Sequence, residues 1–192
     1  MILILMQSRS GSSLVASIFN AHGFDTKHTR HVNQFKYLDY EHQAAKNWCY
    51  AKKEKMGYQT CKFVDPIAGI DVLIEINDCV KIGIEYWPIF KHLKPKVFCV
   101  RRDPVQIAKS LQAKRTKRNR ELMPDDEMWR SIRIRENMLD QARKESGGID
   151  IHVQPIMDGD FTGIEGAFNH HGLEFNPGAA KACIQPQKWR IR

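Results

Sequence analysis

The stretch that decides the fold is residues 2–24, ILILMQSRSGSSLVASIFNAHGF. Its first five residues are apolar and predict a buried strand. Residues 12–21 predict a helix, because apolar side chains recur at helical spacing at Leu14, Val15, Ile18 and Phe19. The polar residues 7–11 between the two predict a tight turn. A strand, a turn and a helix in this order are typical of an α/β domain with a parallel sheet.

The rest of the chain continues this alternation. KIGIEYW at 81–87 and KVFCV at 96–100 predict strands on either side of a short helix that begins at Pro88. Asp103 and Pro104 fit the N-cap and first position of the next helix. Further predicted elements are an extended segment at 24–27, a polar helix over 37–56, a long charged helix over 124–144, a strand at 149–154 and a helix over 164–171. We therefore expect one α/β domain over residues 1–192, a parallel β-sheet flanked by helices.

Composition limits the class of protein. A chain of 192 residues can bury a continuous core, and its net charge of +8 favours an anionic partner. The five cysteines are scattered and form no C-x-x-C pair, so they predict neither a disulfide framework nor a zinc site. The apolar run at 2–6 is too short for a signal peptide or a membrane span. We expect a cytoplasmic protein without a membrane span.

The turn QSRSGSS, residues 7–13, has the composition of an anion-binding loop. Gly11 allows a tight turn, and Ser10, Ser12 and Ser13 offer donors at a helix N-terminus, where the helix dipole attracts anions. The lysine of the phosphate-loop pattern G-x-x-x-x-G-K-[ST] is absent, and Arg9 supplies a cation instead. A serine-capped helix after a strand accounts for the same residues, so the turn alone leaves both interpretations open.

A second unusual segment is VRRDPVQIAKSL at 100–111. Arg101 and Arg102 lie at the carboxyl end of a predicted strand, and Ser110 lies two turns along the following helix. Kinases often place an Mg²⁺-binding aspartate at such a strand end, whereas guanidinium groups bind phosphate directly. By itself, this segment slightly favours a solvated basic edge before an ordinary Asp-Pro helix start over a phosphate contact.

Together the two segments resemble sulfotransferases that use 3'-phosphoadenosine 5'-phosphosulfate (PAPS). Residues 9–13, RSGSS, are similar to the family's R-S-G-T-S loop, with Ser12 where threonine is commoner. Arg102-Asp103-Pro104, with Ser110 after five further residues, is similar to R-[DN]-P-x-x-x-x-x-S. The resemblance implies a P-loop-like sulfotransferase fold and transfer of a sulfuryl group from PAPS to a hydroxyl or amine of a carbohydrate or small molecule. It implies no requirement for a metal.

The resemblance also assigns roles to residues. Arg9 would lie near the oxygen that bridges the 5'-phosphate and the sulfuryl group, within a loop completed by Ser10, Gly11, Ser12 and Ser13. Arg102 and Ser110 would contact the 3'-phosphate, as would the basic-aromatic run Lys188, Trp189 and Arg190, which also approaches the adenine. Trp189 fits a C-terminal core position as well.

The general base is the least defined part of this expectation. Counting forward from the loop to where carbohydrate sulfotransferases carry a glutamate leads to His31, whose ordinary pKa suits a base at neutral pH. His31 is equally explained as a surface loop residue. Glu85, in the predicted strand 81–87, is the rival, and Lys81 would assist at the sulfuryl group.

Two other classes of function remain open. A P-loop nucleotide or metabolite kinase fits the strand-turn-helix start but lacks the lysine. A basic nucleic-acid-binding module fits AKRTKRNRE at 113–121, which has five basic residues but no interleaved aromatic residue, so a solvated helical face is favoured there. We expect a nucleotide cosubstrate as partner, with an unidentified acceptor for which the basic charge favours an acidic molecule.

Overall fold

The computed structural model describes residues 1–26 and 78–184, together with the backbone of two strands between them. The chain forms an α/β structure with a central sheet of parallel strands in the order β4-β1-β5-β6. Strands β2 and β3 pair with each other in an antiparallel ribbon. The strands are β1 Ile2–Met6, β2 Lys53–Met56, β3 Thr60–Phe63, β4 Cys79–Gly83, β5 Lys96–Arg101 and β6 Ile149–His152.

Helices cover both faces of the sheet. They are α1 Ser12–Ala21, α2 Trp87–Phe90, α3 Pro104–Lys117, α4 Asp125–Ser146, α5 Val153–Met157, α6 Thr162–His170 and α7 Pro177–Cys183. Helix α3 begins as predicted, with Pro104 in its first turn and the Asp103 carboxylate accepting a hydrogen bond from Gln106 N at 3.0 Å.

A short extended segment lies beyond β4. Asp25 forms a parallel bridge with Asp78, and Cys79 N donates to Asp25 O at 2.8 Å. On the other side, Ile2 N of β1 donates to Asp78 O at 2.8 Å. Because the C=O and N–H of one peptide group point in opposite directions, the Asp25 segment lies on the edge of β4 that faces away from β1.

The chain leaves β1 and β5 in opposite directions. From β1 it passes through α1 to the Asp25 segment beside β4, and from β5 it passes through α3 and α4 to β6. In open α/β sheets, ligands bind outside the carboxyl ends of strands whose connections diverge in this way. The carboxyl ends of β1 and β5 therefore form the expected binding crevice.

Side-chain alternation along the strands divides the core into two layers. On one face, Ile4 and Phe98 pack against α1, α5, α6 and α7. On the other face, Leu5 and Cys99 pack against α2 and α4. Helix α3 packs beside α4 through a smaller cluster, formed by Ile107, Ala108, Met128 and Ile132.

The predicted α/β class with a parallel sheet is confirmed, and α1 begins and ends as predicted. The strand predicted over 81–87 is wrong beyond Gly83, because residues 84–86 form a 3-10 turn that leads into α2. Trp87 is buried against α4, where its indole N–H donates to Glu145 Oε2 at 2.8 Å. The apolar residues of this stretch are therefore buried by turning under α4 rather than by joining the sheet.

Two more predicted boundaries are wrong. The last four residues of the helix expected over 37–56 form β2, because they pair with β3. The strand expected over 149–154 ends at His152, where α5 begins. The single-domain organisation stays a prediction.

Helix α4 is long but strongly charged. Its 22 residues carry acidic groups in the first turn and basic groups in the last turn, as the helix dipole favours. Within the parts of the chain that the structure describes, no helix is both long and apolar enough to cross a membrane.

An aromatic cluster joins α1 to the sheet. The ring of Phe19 is fully buried and lies 4.7 Å from that of Phe98 and 4.6 Å from that of Phe168, measured between centroids.

We expect Phe19→Ala to lower the free energy of unfolding by about 3–5 kcal/mol, because it removes the ring and leaves a cavity. Leu122→Ala, at a residue that is 60% exposed, is the control and should change stability by less than about 0.5 kcal/mol. Urea denaturation measures both, and equal effects would contradict this packing.

Candidate anion-binding site

The turn between β1 and α1 is built for close approach of an anion. Gly11 has φ +87° and Arg9 has φ +71°, so both adopt the left-handed conformation that tight turns require. Ser10 N donates to Gln7 O at 3.3 Å, which closes the turn. Helix α1 then begins at Ser12, and its first amide groups face the crevice end of the sheet.

Gly11 is also required by its neighbours. A Cβ atom built on Gly11 would lie 2.7 Å from Val153 Cγ1, at the start of α5. The turn therefore packs directly on the end of β6, at a distance that no other residue type allows.

The two segments singled out in the sequence meet at this turn. Arg9 Nε donates to Ser110 Oγ of α3 at 2.7 Å, and Arg102 Nη1 donates to Arg9 O at 3.2 Å. Ser110 is fully buried, whereas Arg9 is exposed. Residues more than ninety positions apart in the chain thus form one continuous group of polar side chains.

This group concentrates positive charge. Although Arg9 is exposed as a residue, the protein around its guanidinium displaces part of the solvent and lowers its pKa, and the neighbouring guanidinium groups of Arg102 and Arg118 lower it further. Burial also lowers the pKa of Arg102, and the negative charge of Asp103 partly offsets this decrease. Arginine nevertheless stays charged at neutral pH. Within the described residues, neither Arg9 nor Arg102 has a carboxylate partner, so an anion would relieve the repulsion between them.

Unused hydrogen-bonding capacity lies in the same place. Among the described residues, Ser10 Oγ and Arg102 Nε are buried without a hydrogen-bond partner. Buried polar atoms without partners are rare in folded proteins, and phosphate oxygens would accept hydrogen bonds from both. The residues present therefore fit a phosphorylated ligand.

Arg101, next to Arg102, has a different role. Its guanidinium is buried and donates to Asp150 Oδ1 at 2.8 Å, Glu136 Oε2 at 2.6 Å and Asp140 Oδ1 at 2.6 Å. Burial opposes its charge, but Asp150 and Glu136 raise the pKa of Arg101 above its usual range. Arg101 is therefore a structural residue that joins β5 to α4 and β6, and of the two adjacent arginines only Arg102 is available to a ligand.

Lys81 and Glu85 lie on the β4 side of the crevice. Lys81 Nζ donates to Ser13 Oγ at 3.0 Å, which connects β4 to the first turn of α1. The prediction that Glu85 lies in a strand is wrong. Glu85 lies in the 3-10 turn after β4. Its carboxylate folds over Gly83, where a Cβ atom would lie 2.6 Å from Glu85 Oε2. Gly83 is in register with Met6, so Glu85 lies near the end of β1 as well.

Several predicted site residues cannot be placed in this arrangement. His31 and the run Lys188, Trp189 and Arg190 lie outside the described residues. Their assigned roles stay predictions.

Sequence reasoning missed two residues of the site. Gln7 is 2% exposed, and its side-chain amide donates to Glu136 Oε1. Gln7 precedes the turn and could have been noticed as a polar residue at the end of a buried strand. Glu136 lies in mid-helix among other charged residues, and nothing in its local sequence distinguishes it.

The adjacent histidines at the C-terminal end of α6, His170 and His171, are held by the fold. His170 Nε2 lies 3.1 Å from Gly147 O, and His171 Nε2 lies 3.1 Å from Val97 O. Burial lowers the pKa of His171. Over residues 1–26 and 78–184, no group of histidine, cysteine and acidic side chains could hold a metal ion.

Comparison of the chain with family models, curated proteins and solved structures finds no match. The geometry of the site therefore carries the functional argument.

The contact between Gly11 and Val153 leads to a test of the turn. We expect Gly11→Ala to lower the free energy of unfolding by about 2–4 kcal/mol, through strain at positive φ and through the clash with Val153. Gly23→Ala is the matched control, because Gly23 has φ +86° but no atom within 4 Å of a built Cβ. It should cost only the strain, about 1 kcal/mol. Thermal or urea unfolding compares them, and equal costs would mean that the turn does not pack on Val153.

Proposed function

We propose that this protein is a PAPS-dependent sulfotransferase that transfers a sulfuryl group to a hydroxyl or amine acceptor. The observation that carries the proposal is the hydrogen bond between Arg9 and Ser110, with Arg102 donating to the carbonyl of Arg9. It joins the two segments that resemble the sulfotransferase loop and its second signature. A nucleotide with phosphates at both the 5' and 3' positions would use both segments at once.

The residues divide between the two phosphates. The amides and hydroxyls of Ser10, Ser12 and Ser13, at the N-terminus of α1, would hold the 5'-phosphate. Arg102 and Ser110 would hold the 3'-phosphate, and the unpartnered Nε of Arg102 supports this assignment. By resemblance, residues 188–190 would complete the nucleotide site. When bound, PAPS supplies an activated sulfuryl group attached to a phosphate leaving group.

Arg9 is the residue best placed to act on developing charge. A fixed guanidinium beside the leaving oxygen stabilises negative charge more in the transition state than in the ground state. The hydrogen bond to Ser110 restricts the side chain of Arg9 to one arrangement, so little reorganisation would be needed. Lys81, held on Ser13, would add a second cation on the β4 side.

The acceptor must lose a proton as it attacks sulfur, and two residues remain candidates for the base. Glu85 is supported by its place at the carboxyl end of β4, beside the end of β1. His31 is supported by the sequence resemblance alone.

The kinase alternative is less well supported. The acidic side chains near the end of β5 make other contacts: Glu136, Asp140 and Asp150 bind Arg101, and Asp103 accepts from Gln106 N at the start of α3. The nucleic-acid alternative rests on basic residues at the end of α3, where they complement the helix dipole.

Nucleotide binding tests the assignment directly. We expect adenosine 3',5'-bisphosphate, at about a hundred times its Kd, to raise Tm by about 5–10 °C, and AMP at the same concentration to raise it much less. Arg102→Ala should weaken binding of the bisphosphate by about 10–100-fold and leave AMP binding nearly unchanged, because it removes charge-assisted hydrogen bonds to the 3'-phosphate. Calorimetry gives both affinities.

The control is Lys144→Ala, which removes an exposed positive charge near the end of α4, just before β6 begins. It should bind like the unaltered protein. Equal affinities of the unaltered protein for AMP and the bisphosphate would overturn the cofactor assignment. Loss of the circular dichroism spectrum in Arg102→Ala would make Arg102 a structural residue.

Turnover tests the role of Arg9. With a labelled PAPS assay on a panel of glycans, phenols and amines, Arg9→Ala should lower kcat by about a hundredfold and change the bisphosphate Kd far less. The carbonyl that accepts from Arg102 is retained in this variant. Arg9→Lys keeps the positive charge and should retain kcat within about tenfold. A raised KM with unchanged kcat in Arg9→Ala would reduce Arg9 to a phosphate contact.

A further inference from the structure

One carboxylate on α4 lies between the two halves of the anion site. Glu136 Oε1 accepts a hydrogen bond from the side-chain amide of Gln7, and Glu136 Oε2 accepts from Arg101 Nη1 at 2.6 Å. Gln7 is the first residue after β1, and Arg101 is the last residue of β5. Both oxygens of the carboxylate are thus used by donors from two different strand ends.

Each donor adjoins a ligand-binding segment. Gln7 closes the turn that carries Arg9, because its carbonyl accepts from Ser10 N. Arg101 directly precedes Arg102. We infer that Glu136 is a positioning residue, which fixes the turn and the end of β5 relative to each other and so sets the spacing of Arg9 and Arg102. The meaning of this spacing for a bisphosphate ligand rests on the function proposed above.

The other carboxylates around Arg101 do not share this position. Over residues 1–26 and 78–184, Asp140 forms an ion pair with Arg101 alone, and Asp150 forms ion pairs with Arg101 and Arg143. Within the described residues, Glu136 is the acidic residue that contacts both strand ends. Asp140 therefore offers a control that perturbs the same guanidinium without touching the turn.

The carboxylate of Glu136 gives both donors a charged acceptor. In Glu136→Gln, the new NH₂ can face Gln7 only if the Gln7 amide turns to present its oxygen, and both hydrogen bonds lose their charged acceptor. Gln7→Glu fails for a different reason, because it brings two carboxylates together. The double variant, Gln7→Glu with Glu136→Gln, restores one acceptor for every donor and keeps the total charge.

The experiment compares these three variants and Asp140→Asn with the unaltered protein. Amide hydrogen exchange of residues 7–14 in the ligand-free protein measures how firmly the turn is held. Calorimetry with adenosine 3',5'-bisphosphate measures the consequence for binding, and Tm reports global stability.

We expect each single variant, Glu136→Gln and Gln7→Glu, to speed exchange of residues 7–14 and to weaken bisphosphate binding by about tenfold. The double variant should recover both to within about threefold, a rescue that general destabilisation would not give. Asp140→Asn should exchange and bind like the unaltered protein, even where its Tm falls.

Two results would overturn the inference. One is unchanged exchange of residues 7–14 in both single variants. The other is an equal loss of binding in Asp140→Asn and Glu136→Gln, since the cluster would then act only through stability. If the unaltered protein fails to bind the bisphosphate, the proposed function fails instead, and the exchange data still decide whether Glu136 holds the turn.

Discussion

Side-chain alternation along β5 is the constraint on which the site depends. Cys99 faces the core layer beneath α4, and Val100 faces the layer beneath α1. The same alternation carries Arg101 into the carboxylates of α4 and leaves Arg102 to reach the turn at Arg9. Two adjacent arginines thus receive opposite roles from strand geometry alone. A slip of one residue in the register of β5 would exchange them.

The charges around the strand ends are sorted by this arrangement. The acidic groups gather around the buried guanidinium of Arg101, where each is within hydrogen-bond distance of a nitrogen. The cations of the turn and of Arg102 stand apart from them, beside the N-terminus of α1. Fixed positive charges and oriented amides beside the turn make a field that attracts anions, because Glu136, Asp140 and Asp150 bind Arg101 instead of Arg9 or Arg102.

Local sequence patterns predicted much of this structure. The strand-turn-helix over residues 2–21 was readable because a buried strand and an amphipathic helix have different periods. The Asp-Pro start of α3 was readable because capping is local. Glu85 was misassigned because apolar residues buried under a helix and those buried in a sheet look alike over a few positions.

The contacts that assemble the site were not readable in the same way. The resemblance to sulfotransferases predicted that Arg9, Arg102 and Ser110 belong to one site. No local pattern distinguishes Arg101 from Arg102. The partners of Arg101 come from a helix 35 or more residues away and from β6, and they are selected by packing rather than by spacing. The role of Glu136 therefore depends on how α4 packs on the sheet, which its local sequence does not show.

The contact between Gly11 and Val153 has a consequence for which sequences can share this fold. The branched side chain at position 153 occupies the space that a side chain at position 11 would need. Neither position is therefore free to vary alone in size. A shorter residue at 153 would make room for a methyl group at 11, although the positive φ would still favour glycine. In related chains, a larger residue in the turn should therefore occur together with a smaller residue after the last strand.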